Sequence, residues 1–194
     1  MAIRTGRRWV MLMLAVVLLI GGTYSAQQGS VGQNGRTNTQ LSDGRWLLLG
    51  GTRTEAYVGL LNPATNSVAA LTSRMVVPRS GHTATVLSDG SVLILGGVDA
   101  AGRLVTTAER FDPGTETFQV VSSDGLMPRA WHTATLLTDG RLLVAGGIGA
   151  NGQTLDSADL WDPVLGGSPV NAMRTPRRGG AAELLPDGTV LVSG

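Results

Sequence analysis

The chain has no cysteine and no lysine. Without cysteine there is no disulfide framework, no thiolate nucleophile or metal ligand, and no lipid-bearing cysteine behind an export signal. Without lysine there is no Schiff-base amine and no lysine-containing phosphate loop. All 15 basic side chains are therefore arginines, and three of them fall within the first eight residues. From residue 27 onward, 12 arginines stand against 14 aspartates and glutamates. A nucleic-acid partner would need a basic stripe, and that balance provides none. Aromatic residues make up 4% of the chain and histidine occurs twice. The longest apolar run, Trp9 to Ile20, is 12 residues, too short for a comfortable transmembrane span. What is abundant is glycine, and its spacing carries the first positive signal.

Asp-Gly pairs recur at 43–44, 89–90, 139–140 and 187–188, separated by 46, 50 and 48 residues. The first three are each followed by an apolar run and a Gly-Gly pair, at Gly50-Gly51, Gly96-Gly97 and Gly146-Gly147. The fourth is followed by Val190 to Ser193 and Gly194, so the repeat is expected to continue in a longer chain. A period near 50 residues defines the architecture before any local motif does.

One unit, 79–128, shows the plan. His82 to Ser88 is rich in β-branched residues and reads as a strand. Asp89-Gly90 between apolar runs predicts a tight hairpin of type I′, which needs positive φ at both central positions. Ser91 to Gly97 is continuously apolar, as a strand covered on both faces would be. A loop, 98–105, leads to a third strand, Thr106 to Asp112. A Pro113-Gly114 turn then leads to a fourth, Thr117 to Val121. The unit 129–176 repeats this, 35–78 is an eroded copy, and 177–194 is half a copy.

Pro-Arg before the first strand, Gly-Gly closing the second and aromatic-Asp-Pro closing the third resemble the kelch repeat. The His-Thr-Ala-Thr and Asp-Gly elements resemble the bacterial, galactose-oxidase-like type most. The consensus tryptophan of the fourth strand is Phe118 in one copy and missing from the others. The resemblance covers roughly residues 35–194. It implies an all-β fold, a kelch-type β-propeller fragment of four-stranded antiparallel blades: about two full blades, one eroded and one half. Its partners would include the missing blades of its own longer chain. The copper-radical site of the galactose-oxidase relatives uses tyrosines, histidines and a cross-linked cysteine; past residue 26 this chain has one tyrosine, Tyr57. No cofactor is expected.

Residues 1–26 read as a signal peptide: Arg4, Arg7 and Arg8, then the apolar run, then small residues up to Ala26. Retention as an N-terminal anchor is the alternative. Residues 27–34, a polar Gly/Gln/Ser stretch, read as a linker. Export to the periplasm, the medium or the cell surface follows as an expectation.

Several motifs invite chemical readings. Gly147-Ile-Gly149-Ala-Asn-Gly152 matches the dinucleotide fingerprint, but the 11 residues from Gln153 to Pro163 leave no room for the helix that would hold a pyrophosphate. His82 and His132 occupy the same slot in consecutive units, which favours a structural hydrogen bond over a metal or acid-base role. Arg79, Arg129 and Arg177 recur likewise. The planar donor fork of these arginines suits pairs with the third-strand acids Glu109 and Asp159. Asp112 and Asp162 read as turn formers. Residues that break the repeat near the same loops are the ligand-binding candidates: Arg74, Asp99, Trp131, Arg174 and Arg178. The leading functional expectation is a binding or scaffolding surface for carbohydrate or protein. The alternative is part of an extracellular carbohydrate-active enzyme, of oxidase or sugar-acid epimerase type, with its catalytic residues mostly in missing blades.

Overall fold

The computed structural model describes residues 30–31, 35–50, 57–162 and 165–194. The signal-peptide reading, most of the linker and Gly51 lie outside the described residues. Among the described residues, fifteen strands form four antiparallel sheets, each a simple meander. The first sheet holds β1 (Ser30–Val31), β2 (Thr37–Gln40), β3 (Trp46–Gly50), β4 (Tyr57–Asn62) and β5 (Ser67–Ala70). The second holds β6 (Thr83–Val86), β7 (Val92–Leu95), β8 (Ala108–Asp112) and β9 (Thr117–Val121). The third holds β10 (Thr133–Leu136), β11 (Leu142–Ala145), β12 (Ala158–Asp162) and β13 (Gly166–Val170), and the last pairs β14 (Ala181–Leu184) with β15 (Val190–Ser193).

The first unit, eroded in sequence, is a complete blade. Its register matches the others (Thr37 opposite Leu49, Thr83 opposite Leu95, Thr133 opposite Ala145). Backbone pairing tolerates the lost consensus because Leu47, Leu49, Val58 and Leu60 still supply the buried face. Within the stretch read as linker, Ser30–Val31 pairs with Asn38 and Thr37 as a fifth strand.

First strands β2, β6, β10 and β14 lie side by side in succession, so the sheets radiate from one inner row. The core lies between blades. Val92 and Ile94 of β7 pack with Phe111 against Leu47, Leu49 and Val58 of the first blade. Leu93 and Leu95, on the opposite face of β7, pack against Leu142, Val144 and Trp161 of the third. Side chains alternate across a strand, so covering both faces requires the unbroken apolar run seen in the sequence. Fourth strands β5, β9 and β13 form the exposed rim, with Val68, Val120 and Val170 open to solvent.

The Asp-Gly hairpins are present but are not type I′. Only the glycine has positive φ (83° at Gly90, 86° at Gly140), and neither aspartate does. Gly90 N–H donates to the Leu87 carbonyl at 3.0 Å, and Leu87 N–H to the Ser91 carbonyl at 2.8 Å. This is a type I turn closed by a left-handed glycine, the three-residue hairpin loop. The aspartate is selected by a different force: its Oδ1 accepts the N–H two residues on, at 3.0 Å from both Ser91 and Arg141.

The Gly96-Gly97 and Gly146-Gly147 pairs are required by both conformation and space. At Gly96 φ is 64° and an added Cβ would lie 2.3 Å from the Arg129 carbonyl oxygen, whereas at Gly140 φ is 86° and the space is open. Gly140→Ala is expected to cost about 1–2 kcal/mol, the left-handed penalty alone. Gly96→Ala should cost clearly more, because the blade boundary must also shift. Urea midpoints of the two variants check this ordering.

Candidate functional site

Meander topology sorts the loops. Turns between first and second strands, and between third and fourth, lie at one end of the blades. Loops joining second to third strands, and one blade to the next, lie at the other. Arg45 confirms the alignment at the turn end: it reaches from the first blade to Glu116 (2.8 Å) and the Pro113 carbonyl (3.2 Å) of the second.

At the loop end, a buried arginine locks two blade boundaries, whereas Arg177 at the next is half-buried and donates to the Gly194 carbonyl at 2.7 Å. Arg79 donates to the carbonyls of Val77 (3.1 Å), Gly96 (3.3 Å) and Thr107 (2.7 Å) and to Glu109 Oε1 (2.5 Å). Glu109 in turn accepts the N–H groups of Val76 and Val77 at 2.7 and 3.1 Å. Arg129 repeats the pattern with the carbonyls of Met127, Gly146 and Ser157 and with Asp159. Burial holds both guanidinium pKa values below the usual range, opposed by the facing carboxylate. Burial also raises Asp159, against the pull of Arg129. These arginines are committed to the fold.

The histidines are inter-blade latches. His82 Nε2 lies 2.9 Å from Thr37 Oγ1, and His132 Nε2 lies 3.0 Å from Thr83 Oγ1. Thr39 and Thr85 add bonds to the carbonyls of Ala84 and Ala134, both at 3.4 Å. Burial first, then the neighbouring guanidinium of Arg79 or Arg129, pushes each imidazole down from 6.5 to about 3, so both are neutral. Each Nδ1 is buried without a partner of good geometry, although the Arg79 carbonyl slightly favours the charged form of His82. Among the described residues no group of three His, Asp or Glu could hold a metal ion.

The residues that break the repeat are placed as follows. Asp99 accepts the N–H groups of Ala101 and Arg103 at 2.9 Å each and pairs with the Arg103 guanidinium, so its carboxylate organises its own loop. Arg74 is exposed and donates to the Leu71 carbonyl. Arg174 and Arg178 are exposed at the next boundary. The Gly147 to Gly152 segment is a tight loop between strands, Gly152 N–H donating to the Gly149 carbonyl at 3.0 Å.

Trp131 is the outlier. It occupies a slot filled by Gly35, Gly81 and Gly179 in the other units, and all four are left-handed, with φ of 53°, 70°, 67° and 63° in that order. A bulky side chain there costs roughly 1–3 kcal/mol. The slot forms a chain of backbone bonds from blade to blade: Gly81 to Gly35 (3.1 Å), Trp131 to Gly81 (2.7 Å) and Gly179 to Trp131 (2.8 Å), each N–H donating to the previous carbonyl. The indole lies over Gly81, where an added Cβ would be 2.8 Å from Cε2. Trp131 is half-buried. It therefore sits at the loop-end mouth of the inner strand row, bonded to the residue that follows Arg178. Arg36, which the sequence did not single out, occupies the column of His82 and His132 in the first unit and is exposed.

Charge divides the two ends. At the turn end Arg45, Arg110 and Arg141 are matched by Asp43, Glu116, Asp89 and Asp139, and Asp112 and Asp187 add to the negative side. At the loop end, Arg36, Arg74, Arg174, Arg177 and Arg178 form no ion pair among the described residues. Two further carboxylates, Asp124 and Asp156, stand at that end. Among the described residues the loop face is net positive and the turn face net negative.

Radial four-stranded meanders with a core between blades define a β-propeller. Residues 78–125 match the Kelch motif family model. A solved structure titled "Structure of YjhT" superposes with a TM-score of 0.61 at 17% identity, over 84% of this chain and 56% of that one. The chain thus spans about half the length of that structure. No curated protein matches by sequence at a significant level. The chain is thus built as β-propeller blades, and residues 78–125 carry a kelch motif. Among the described residues no helix is long and apolar enough to cross a membrane.

Proposed function

We propose that this is an exported binding or scaffolding module whose loop face receives a carbohydrate or protein ligand. One observation carries the reading: the repeat is kept for the locks and latches and broken on the loop face, which carries Trp131 and arginines without carboxylate partners among the described residues. Residues repeated from unit to unit hold blades together; residues that differ are available for a ligand. The kelch fold is consistent with this role without assigning a ligand.

The triple variant Arg74→Ala, Arg174→Ala, Arg178→Ala tests the reading. These side chains are exposed, so stability should stay within about 0.5 kcal/mol per site. Affinity for ligands found in a glycan array or peptide library should fall at least tenfold. A lowered melting temperature with unchanged binding would make the three residues structural and end the proposal.

A further inference from the structure

We infer that Trp131 is a stacking platform for an anionic carbohydrate, a sugar ring bearing a carboxylate, bound at the loop-end mouth of the inner strand row. The inference rests on the proposed binding role and names the ligand class and the seat.

Three observations converge. First, the slot admits glycine without strain, and the other three units use it; only here is an indole placed on a left-handed backbone. Second, that backbone is fixed from both sides, by its N–H to Gly81 and by its carbonyl from Gly179. Gly81 has no side chain and an added Cβ would strike the indole, so the ring rests on bare main chain. Such a ring is preorganised and needs little further ordering on binding. Third, Arg178 is exposed and directly precedes Gly179, whose N–H donates to the Trp131 carbonyl at 2.8 Å.

The chemistry of the ligand follows. The indole face carries the negative lobe of the ring quadrupole and attracts the weakly positive C–H face of a pyranose. A guanidinium fork grips a carboxylate through two parallel bonds. An acidic peptide would account for the arginines but gives no reason for a flat aromatic surface held in a strained conformation. A neutral sugar would account for the indole but not for the unmatched positive charge.

The test uses the full chain with three probes: trigalacturonate, the neutral galactotriose and an oligoglutamate peptide. Titration calorimetry should show trigalacturonate binding at least tenfold more tightly than either control, with affinity falling as salt rises. Trp131→Gly restores the residue of the other units. It should weaken trigalacturonate at least tenfold and leave the melting temperature within about 4 °C. In wild type, the Trp131 indole N–H resonance, assigned with Trp131→Phe, should shift on titration while those of Trp9, Trp46 and Trp161 stay put. That measurement decides the matter even if the glycine variant folds poorly.

Unchanged trigalacturonate affinity in Trp131→Gly, or an unmoved Trp131 resonance, overturns the inference. Tighter binding of oligoglutamate overturns it in favour of an acidic peptide. If the arginine triple variant loses some other ligand while Trp131→Gly keeps it, the broader binding role stands and the platform alone falls.

Discussion

Acidification from pH 7.5 to 4.5 is expected to remove about 5 kcal/mol of stability, before the carboxylates with lowered pKa values titrate. His82 and His132 are buried and neutral, each held near 3 against 6.5 in the unfolded chain. The depressed folded value means that the unfolded state takes up the protons first as pH falls below 6.5. Stability is therefore complete above that pH and declines until the folded value is reached. A tenfold difference in proton affinity between the two states corresponds to about 1.4 kcal/mol, so each histidine contributes about 5 kcal/mol over the whole window. Two together approach the ~5–15 kcal/mol that holds a typical domain. The aspartates with lowered values, such as Asp89 and Asp139, also favour the folded state at neutral pH, but their contribution is lost only below about 3.8. The windows are separable. Urea midpoints between pH 7.5 and 4.5 should fall steeply in wild type and much less in a His82→Gln/His132→Gln double variant, where an amide keeps a bond to threonine without titrating. An equal slope in both proteins would show that acid lability has another source.

Breaking one arginine lock is the second large effect. Glu109 has no exposed side-chain surface, nor has Arg79. Glu109→Leu would strand a buried guanidinium and leave the Val76 and Val77 N–H groups without their acceptor. Removal of one partner from a buried pair costs about 3–5 kcal/mol, which corresponds to roughly 10 °C or more in melting temperature for a domain of this size. Glu109→Gln keeps the shape and part of the bonding and should cost less. Thermal melts of both variants at pH 7.5 check this. A Glu109→Leu protein no less stable than wild type would mean that the lock orders the boundary without stabilising it.

Much of this architecture follows from local sequence. The 50-residue period, the four-strand unit, the doubly covered second strand and the Arg79–Glu109 and Arg129–Asp159 pairs are all local, and the two full copies state them alike. Turn chemistry was legible in kind but not in type. Asp-Gly announces a reversal, while the choice between two loop geometries depends on whether the aspartate must enter the left-handed region, and here its side chain caps the turn instead. The weak first unit looked incomplete because consensus residues are missing, yet strand pairing needs only the apolar alternation that Leu47, Leu49, Val58 and Leu60 retain.

The seat around Trp131 was partly legible. Three glycines and one tryptophan share a column, and that column marked Trp131 as unusual. The sequence did not reveal that the column is left-handed and carries a chain of bonds between blades, nor that Asp99 is consumed by Arg103. Sequence by itself determined the repeat, the strands and the buried ion pairs, because those depend on residues within one unit. Tertiary structure decided how units meet: which threonine reaches which histidine, 45 residues away at Thr37–His82 and 49 at Thr83–His132, and which end of the blades carries unmatched positive charge. Those contacts arise only when blades stack around a common inner row, since no spacing along one chain segment specifies the rotation that brings the next blade's face into register.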